Sequence, residues 1–352
     1  MTLSHELKAL LHEGAFIPAH PLALTHDKQL DELAQRRLTR YYLEAGVGGI
    51  AVGVHTTQFE IRDPAFNLYE TVLRLAMEEV KQAKIERPFL KIAGVCGEKD
   101  QAIAEVKLAK EIGYDMVLLS NGGLNDYSES ELLERTVEVA KELPVFGFYL
   151  QPAVGGRVFS YNFWEQFASI PNVMAIKVAP FNRYLTLDVI RAVCASPRTE
   201  EIAIYTGNDD NIIADLLTSY NIEIDGKKVS KQIVGGLLGH WSVWTHTAVK
   251  LFEQLKLDRR HDQVDKKWFS VAQDVTDCNS AFFDSKNDFK GSIAGINEVL
   301  ARQGLLKGNW CLMDHEVLSK NQSEEIDRVY ATYPELHDDE FVKSFLMKES
   351  VR

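Results

Sequence analysis

Short apolar, β-branched runs alternate with longer stretches whose apolar residues recur every three or four positions. The short runs read as strands over Gly14–His20, Gly49–Val54, Phe89–Val95, Asp115–Leu119, Pro144–Leu150, Asn172–Ala179, Ile202–Thr206 and Gln232–Leu238. The stretches between them carry helical spacing. Asp27–Ala45 has Leu30, Leu33, Leu38 and Tyr42 on one stripe and a stop at Gly46. Tyr69–Lys84, Asp100–Ile112, Ser128–Glu142, Tyr161–Ser169, Leu185–Ala195, Asp210–Thr218 and Trp241–Leu255 follow the same rule, and a short helix over Glu6–Leu11 leads the chain. Strict alternation implies parallel strands joined by helical crossovers. Eight such units, rather than five or six, point to a closed (β/α)8 TIM barrel over residues 1–257. Residues 258–352 show no strand pattern. They predict helices over Gln263–Phe283, Phe289–Gln303, Ser323–Tyr330 and Glu335–Met347, a C-terminal helical appendage packed on the barrel with no separating linker.

Composition narrows the function. The chain has 352 residues, 45% hydrophobic and 26% charged, as a soluble globular protein does. A net charge of −12 argues against nucleic acid or an anionic membrane as partner. No uncharged apolar run is long enough to span a bilayer, and the first residues lack a basic start and an apolar core, so a cytoplasmic location is expected. Cys96, Cys194, Cys278 and Cys311 are far apart and read as reduced thiols. Neither a Gly-x-Gly-x-x-Gly fingerprint nor a P-loop is present, and no cofactor is expected.

In a barrel the chemistry sits where strands end. That places His20, the run His55-Thr56-Thr57, Cys96, Ser120–Gly123, Tyr149, Lys177, Thr206–Asp210 and Gly239-His240 on the candidate list. Lys177 is the odd residue, a lysine inside an apolar strand between Pro171 and Pro180. Burial removes hydration from the ammonium and lowers its pKa, and a neutral amine is a nucleophile toward carbonyl carbon. Val145, Gly147, Tyr149 and Gln151 alternate with the bulkier Phe146, Phe148 and Leu150. With the bulky set assigned to the helices, Tyr149 points inward beside Lys177 and its phenol relays protons. A competing reading takes His20, His55 and His240 as a metal-binding rim with Asp209 or Asp210 opposite, hence a metal-dependent lyase or hydrolase. A non-catalytic barrel is a third.

Five segments in order carry a family resemblance: Gly46–Thr57, Phe148–Gly156, Ala175–Ala179, Tyr205–Asp210 and Gly235–Gly239. Together they resemble the Gly-Thr-Thr-Gly-Glu, Tyr-Asn-x-Pro, Gly-Ile-Lys, Ser-Gly-Asp-Asp and glycine-rich eighth-strand motifs of the dihydrodipicolinate synthase / N-acetylneuraminate lyase family of class I, Schiff-base aldolases. The resemblance implies that Lys177 condenses with pyruvate or a related 2-oxo acid, that Tyr149 is the proton-shuttling phenol, and that Thr57 passes protons to it. It implies that Thr56 and Thr57, with His55, Gly207, Asn208 and Gly236, bind the substrate, in a homo-oligomer (tetramer or dimer). The chain departs from the pattern where the second substrate enters. Gly122-Gly123 replace a tyrosine pair, Val154 stands for an arginine, and Gln58-Phe59 follow the threonines. These changes argue against aspartate semialdehyde as the partner and leave a lyase, an aldolase with another aldehyde, or a dehydratase. The two glycines suggest room for a bulkier substrate.

Overall fold

The computed structural model describes residues 2–351. The strands are β1 (Phe16–Pro18), β2 (Gly49–Val52), β3 (Leu90–Val95), β4 (Met116–Leu119), β5 (Val145–Leu150), β6 (Val173–Ala179), β7 (Ala203–Thr206), β8 (Ser219–Ile224) and β9 (Lys227–Leu238). All but β8 run in the order β1-β9-β7-β6-β5-β4-β3-β2, a nearly closed parallel barrel of eight strands with helices between them. The fold class is the (β/α)8 barrel followed by helices.

The chain divides into two compact units, each discontinuous in sequence. The first comprises the chain up to Ala15 and Pro88–Leu237. Its sheet pairs β3 with β4, β4 with β5, β5 with β6, β6 with β7 and β7 with β9, all parallel. Strands β4 to β7 are buried at every position, which is why they read as continuous apolar runs. The N-terminal helix His5–Glu13 ends at Gly14, whose φ of 97° and close approach to the Val234 carbonyl admit no side chain. Tyr205 fastens this segment: its hydroxyl donates to the Leu11 carbonyl at 2.8 Å and accepts from the Ala15 amide at 3.0 Å.

The second unit comprises Phe16–Arg87 and the chain from Leu238 onward. Here β1 lies beside β2 through Gly48 N to Phe16 O (2.9 Å) and His20 N to Ala51 O (2.8 Å). The helix Glu32–Ala45 is capped by Asp31, whose carboxylate accepts from Ala34 N, and it ends at Gly46 in the left-handed region. Beyond Asp258 the described residues form helices Lys267–Phe282, Ser292–Arg302, Gln322–Thr332 and Asp339–Glu349 and no strand, as the periodicity indicated. Among the described residues no helix is long and apolar enough to cross a membrane, and the four cysteines are buried and outside any disulfide.

One element lies outside the sequence reading. β8 pairs antiparallel with the first half of β9, so a hairpin precedes the eighth barrel strand. Its turn is Asp225-Gly226, with φ of 48° and 75°. An Asp-Gly pair with both residues at positive φ is the favoured two-residue hairpin turn.

Candidate active site

Lys177 lies in β6, only 8% exposed, flanked along the strand by other buried residues. Loss of hydration on burial lowers its pKa to about 8, against the pull of the Asp209 carboxylate, which favours the cation. Asp209 is itself buried, on the loop that follows β7. Among the described residues no acceptor takes a hydrogen bond from the amine. Its nitrogen instead stands 4.3 Å from the centroid of the Phe148 ring. Gly207 fits against the same side chain: a Cβ there would lie 2.3 Å from Lys177 Cε and 2.8 Å from Ala179 Cβ.

The register of β5 against β6 corrects the expected orientation of Tyr149. Phe146 pairs with Ala175, Phe148 with Lys177 and Leu150 with Ala179, after an irregularity at Val145/Phe146. Paired residues share a face, so Phe148 and not Tyr149 stands with Lys177. Tyr149 turns to the helix layer. Its ring lies 5.0 Å from Trp164 and 5.8 Å from Phe159, and its hydroxyl accepts from the Phe159 amide at 3.4 Å. The same face carries Gly147, where a Cβ would strike the Phe167 ring at 2.5 Å. The physical reason is packing. Helix Tyr161–Ser169 brings large aromatics against this face and leaves room at residue 147 for glycine only. The bulky Phe146 fills the inner face against Tyr205 at 5.0 Å. Burial raises the Tyr149 pKa, so its phenol stays protonated.

The loop after β7 is ordered by Asp215, 1% exposed. Its carboxylate accepts from Thr206 Oγ1 (2.7 Å), Asn208 Nδ2 (2.9 Å) and Asn211 Nδ2 (2.9 Å) and pairs with Arg183. Asn208 also accepts the Phe181 amide through Oδ1 at 3.0 Å, tying the loop after β6 to the loop after β7. The Asn208 side chain is thus spent on the protein itself rather than on a substrate. Gly236 is paired with Thr206 in the sheet, and its amide donates to Ala15 O.

The threonine run lies in the second unit, on a 3-10 turn His55–Thr57 after β2. The two threonines differ. Thr57 is fully buried; its hydroxyl donates to His20 O at 2.6 Å and accepts from the amides of Gly53 and Val54 at 3.0 and 3.2 Å. It holds the turn together and has no capacity left to relay a proton, which corrects the role expected of it. The Thr56 hydroxyl makes no hydrogen bond among the described residues, near Gly239. His55 is half-buried with its ring edge toward Phe59 at 5.9 Å. Gln58, one of the departures from the family pattern, is buried at φ 67° and accepts the Leu312 amide at 2.7 Å through Oε1.

The three histidines do not form a rim. His20 is buried, with Nδ1 at 2.8 Å from Pro21 O and Nε2 at 2.9 Å from Thr39 Oγ1, and burial lowers its pKa to about 4. His240 is buried against Phe282 and Asn279, its pKa also lowered to about 4 by lost hydration. Both are neutral polar groups of the core. Among the described residues no three His, Cys, Asp or Glu side chains stand where they would share a metal ion. Gly122 opens no space either: a Cβ there would meet Ser120 Oγ at 3.3 Å and Leu150 at 3.4 Å, while Gly123 has open space.

The structure defines a (β/α)8 barrel with a buried lysine in its sixth strand, and comparison with known proteins gives the family. Residues 14–220 match the model of the dihydrodipicolinate synthetase family, and the chain belongs to it. Members of that family are class I aldolase-type lyases. The chain is 20% identical over 325 residues to N-acetylneuraminate lyase 2 of Escherichia coli, covering 92% of this chain and 95% of that one. Its fold is similar to dihydrodipicolinate synthase from Oceanobacillus iheyensis, with TM-score 0.74, 17% identity, and 93% and 99% of the two chains covered. It is also similar to a prophage protein of E. coli from the dihydrodipicolinic acid synthase family, solved in complex with pyruvate, with TM-score 0.72, 18% identity, and 92% and 98% covered.

Proposed function

We propose that this protein forms a Schiff base between Lys177 and the ketone of pyruvate or a related 2-oxo acid. On that imine it performs lyase, aldolase or dehydratase chemistry with a second substrate other than aspartate semialdehyde. The observation that carries the reading is Lys177 itself, a buried amine lowered to about 8 in the sixth strand, with no acceptor engaging its nitrogen among the described residues. The neutral amine adds to the keto carbon. The carbonyl oxygen takes two protons and leaves as water, and the resulting iminium draws electrons from the adjacent bond. Asp209 is the charged group that acts on this amine, and we assign to it the exchange of the ammonium proton. The altered strand-four and strand-five loops, with Gly122-Gly123 and Val154, support the change of second substrate. Assembly as a dimer or tetramer and a cytoplasmic location belong to the same reading. Pyruvate with borohydride is expected to add mass to the peptide bearing Lys177, and Lys177→Ala to abolish the adduct. A wild-type protein that traps no 2-oxo acid overturns the proposal.

A further inference from the structure

Phe148 sits where no motif placed a functional residue. It is buried, it pairs with Lys177 across β5 and β6, and its ring centroid lies 4.3 Å from the lysine nitrogen. We propose that the face of Phe148 carries the positive charge of that nitrogen, in the ammonium and again in the iminium, and that Phe148 is a catalytic residue of the imine site. The proposal rests on the Schiff-base reading above.

The argument begins with what surrounds the nitrogen. Burial strips it of water, and among the described residues the formal charge that acts on it is that of Asp209. No hydrogen-bond acceptor among the described residues completes its shell. An aromatic face presents negative potential to a cation and little to a neutral amine, most strongly where water is excluded. The ring therefore favours both charged states over the neutral one. Forming the imine makes a carbon–nitrogen bond from the amine lone pair, expels the carbonyl oxygen as water, and leaves the positive charge on nitrogen. The ring contact outlasts this step because the lysine is held from behind. The backbone at Gly207 lies so close to Cε that no methyl group fits between, which leaves the nitrogen a short arc in front of Phe148.

This arrangement has a signature that ordinary packing does not produce. Well below the lysine pKa the reactant is ammonium, which the ring favours as much as it favours the iminium, so losing the ring changes adduct formation little. Well above that pKa the reactant is neutral amine, and the full effect on the iminium appears. Losing the ring also makes the lysine easier to deprotonate, so the alkaline fall in adduct formation, where the neutral amine must take up a proton, begins at lower pH.

The test measures borohydride-trapped Lys177 adduct against pyruvate concentration across pH, by intact mass, for wild type, Phe148→Leu and Phe148→Trp. A second replacement, pentafluorophenylalanine at position 148, keeps the shape of the ring and reverses its electrostatic face. For Phe148→Leu and for the fluorinated ring, half-trapping above the lysine pKa should need about tenfold more pyruvate, with the alkaline fall beginning about one pH unit lower. Phe148→Trp should retain wild-type behaviour. A fluorinated protein that matches wild type at all pH values overturns the role of Phe148 while leaving the Schiff base standing, as does a loss that is equal at every pH. A wild-type protein that traps nothing overturns both.

Discussion

Gly207 and Lys177 occupy one space: the Cβ that residue 207 lacks would fall 2.3 Å from Lys177 Cε and 3.0 Å from its Cγ. The lysine runs across the bare backbone of the loop after β7. Gly207→Ala should therefore push the amine off its path. We expect adduct formation with pyruvate to fall by about 100-fold or more, together with an overpacking penalty of about 1–3 kcal/mol in denaturant melts. A Gly207→Ala protein that traps pyruvate like wild type would show that the lysine reaches substrate by another route.

Asp215 organises that same loop without facing the amine in any hydrogen bond of its own. Its three side-chain donors and Arg183 are all held by one carboxylate. Asp215→Ala would leave Thr206, Asn208 and Asn211 without their acceptor, a loss of about 3 kcal/mol of stability. It should also free the loop bearing Gly207 and Asp209. The expected result is a lower melting temperature and a changed pH profile of adduct formation, because the field of Asp209 on Lys177 depends on where that loop sits. A profile unchanged in shape would reduce Asp215 to a purely structural role.

Much of this was legible in the chain, and the exceptions have causes. The eight barrel strands stand out because parallel strands buried on both faces are apolar throughout. Lys177 stands out for the same reason, as a fully flanked cation in the middle of a strand whose every position is buried. The β8–β9 hairpin was hidden because its strands are half-exposed and mixed in polarity, although Asp225-Gly226 marks its turn. Tyr149 was misplaced because alternation gives two faces but not which one is inner. The choice rested on sending bulky residues outward, whereas a barrel interior is itself a packed core. Gly147 held the answer, since the face that needs a glycine is the one pressed by helix aromatics. Thr56 and Thr57 were indistinguishable in sequence because the hydrogen bonds that separate them run to backbone atoms of Gly53, Val54 and His20.

That difference between the threonines is testable. Thr57→Val removes a hydroxyl that serves three buried backbone groups and should destabilise the protein by about 2 kcal/mol. Thr56→Val removes a hydroxyl with no partner among the described residues and should leave the melting temperature within about 1 °C of wild type. If Thr56→Val lowers stability as much as Thr57→Val, the division of labour between them is wrong.

The buried lysine also links stability to pH with a definite sign. Its folded pKa of about 8 lies below the ordinary lysine value of 10.5. Between those values the unfolded chain holds a proton that the folded chain has released, so stability rises with pH across that window. Below pH 8 both states are charged and the folded state bears the full penalty of the buried ammonium. Lys177→Met keeps the length of the side chain and removes the charge. It should therefore stabilise the protein at pH 7 by an amount on the order of 3 kcal/mol at most. The advantage should shrink as pH rises from 8 toward 10.5. Urea melts of both proteins at pH 7, 8, 9 and 10 give the comparison directly. A constant difference across that series would mean that Lys177 titrates alike in the folded and unfolded chain, and that the amine is not the desolvated nucleophile required here.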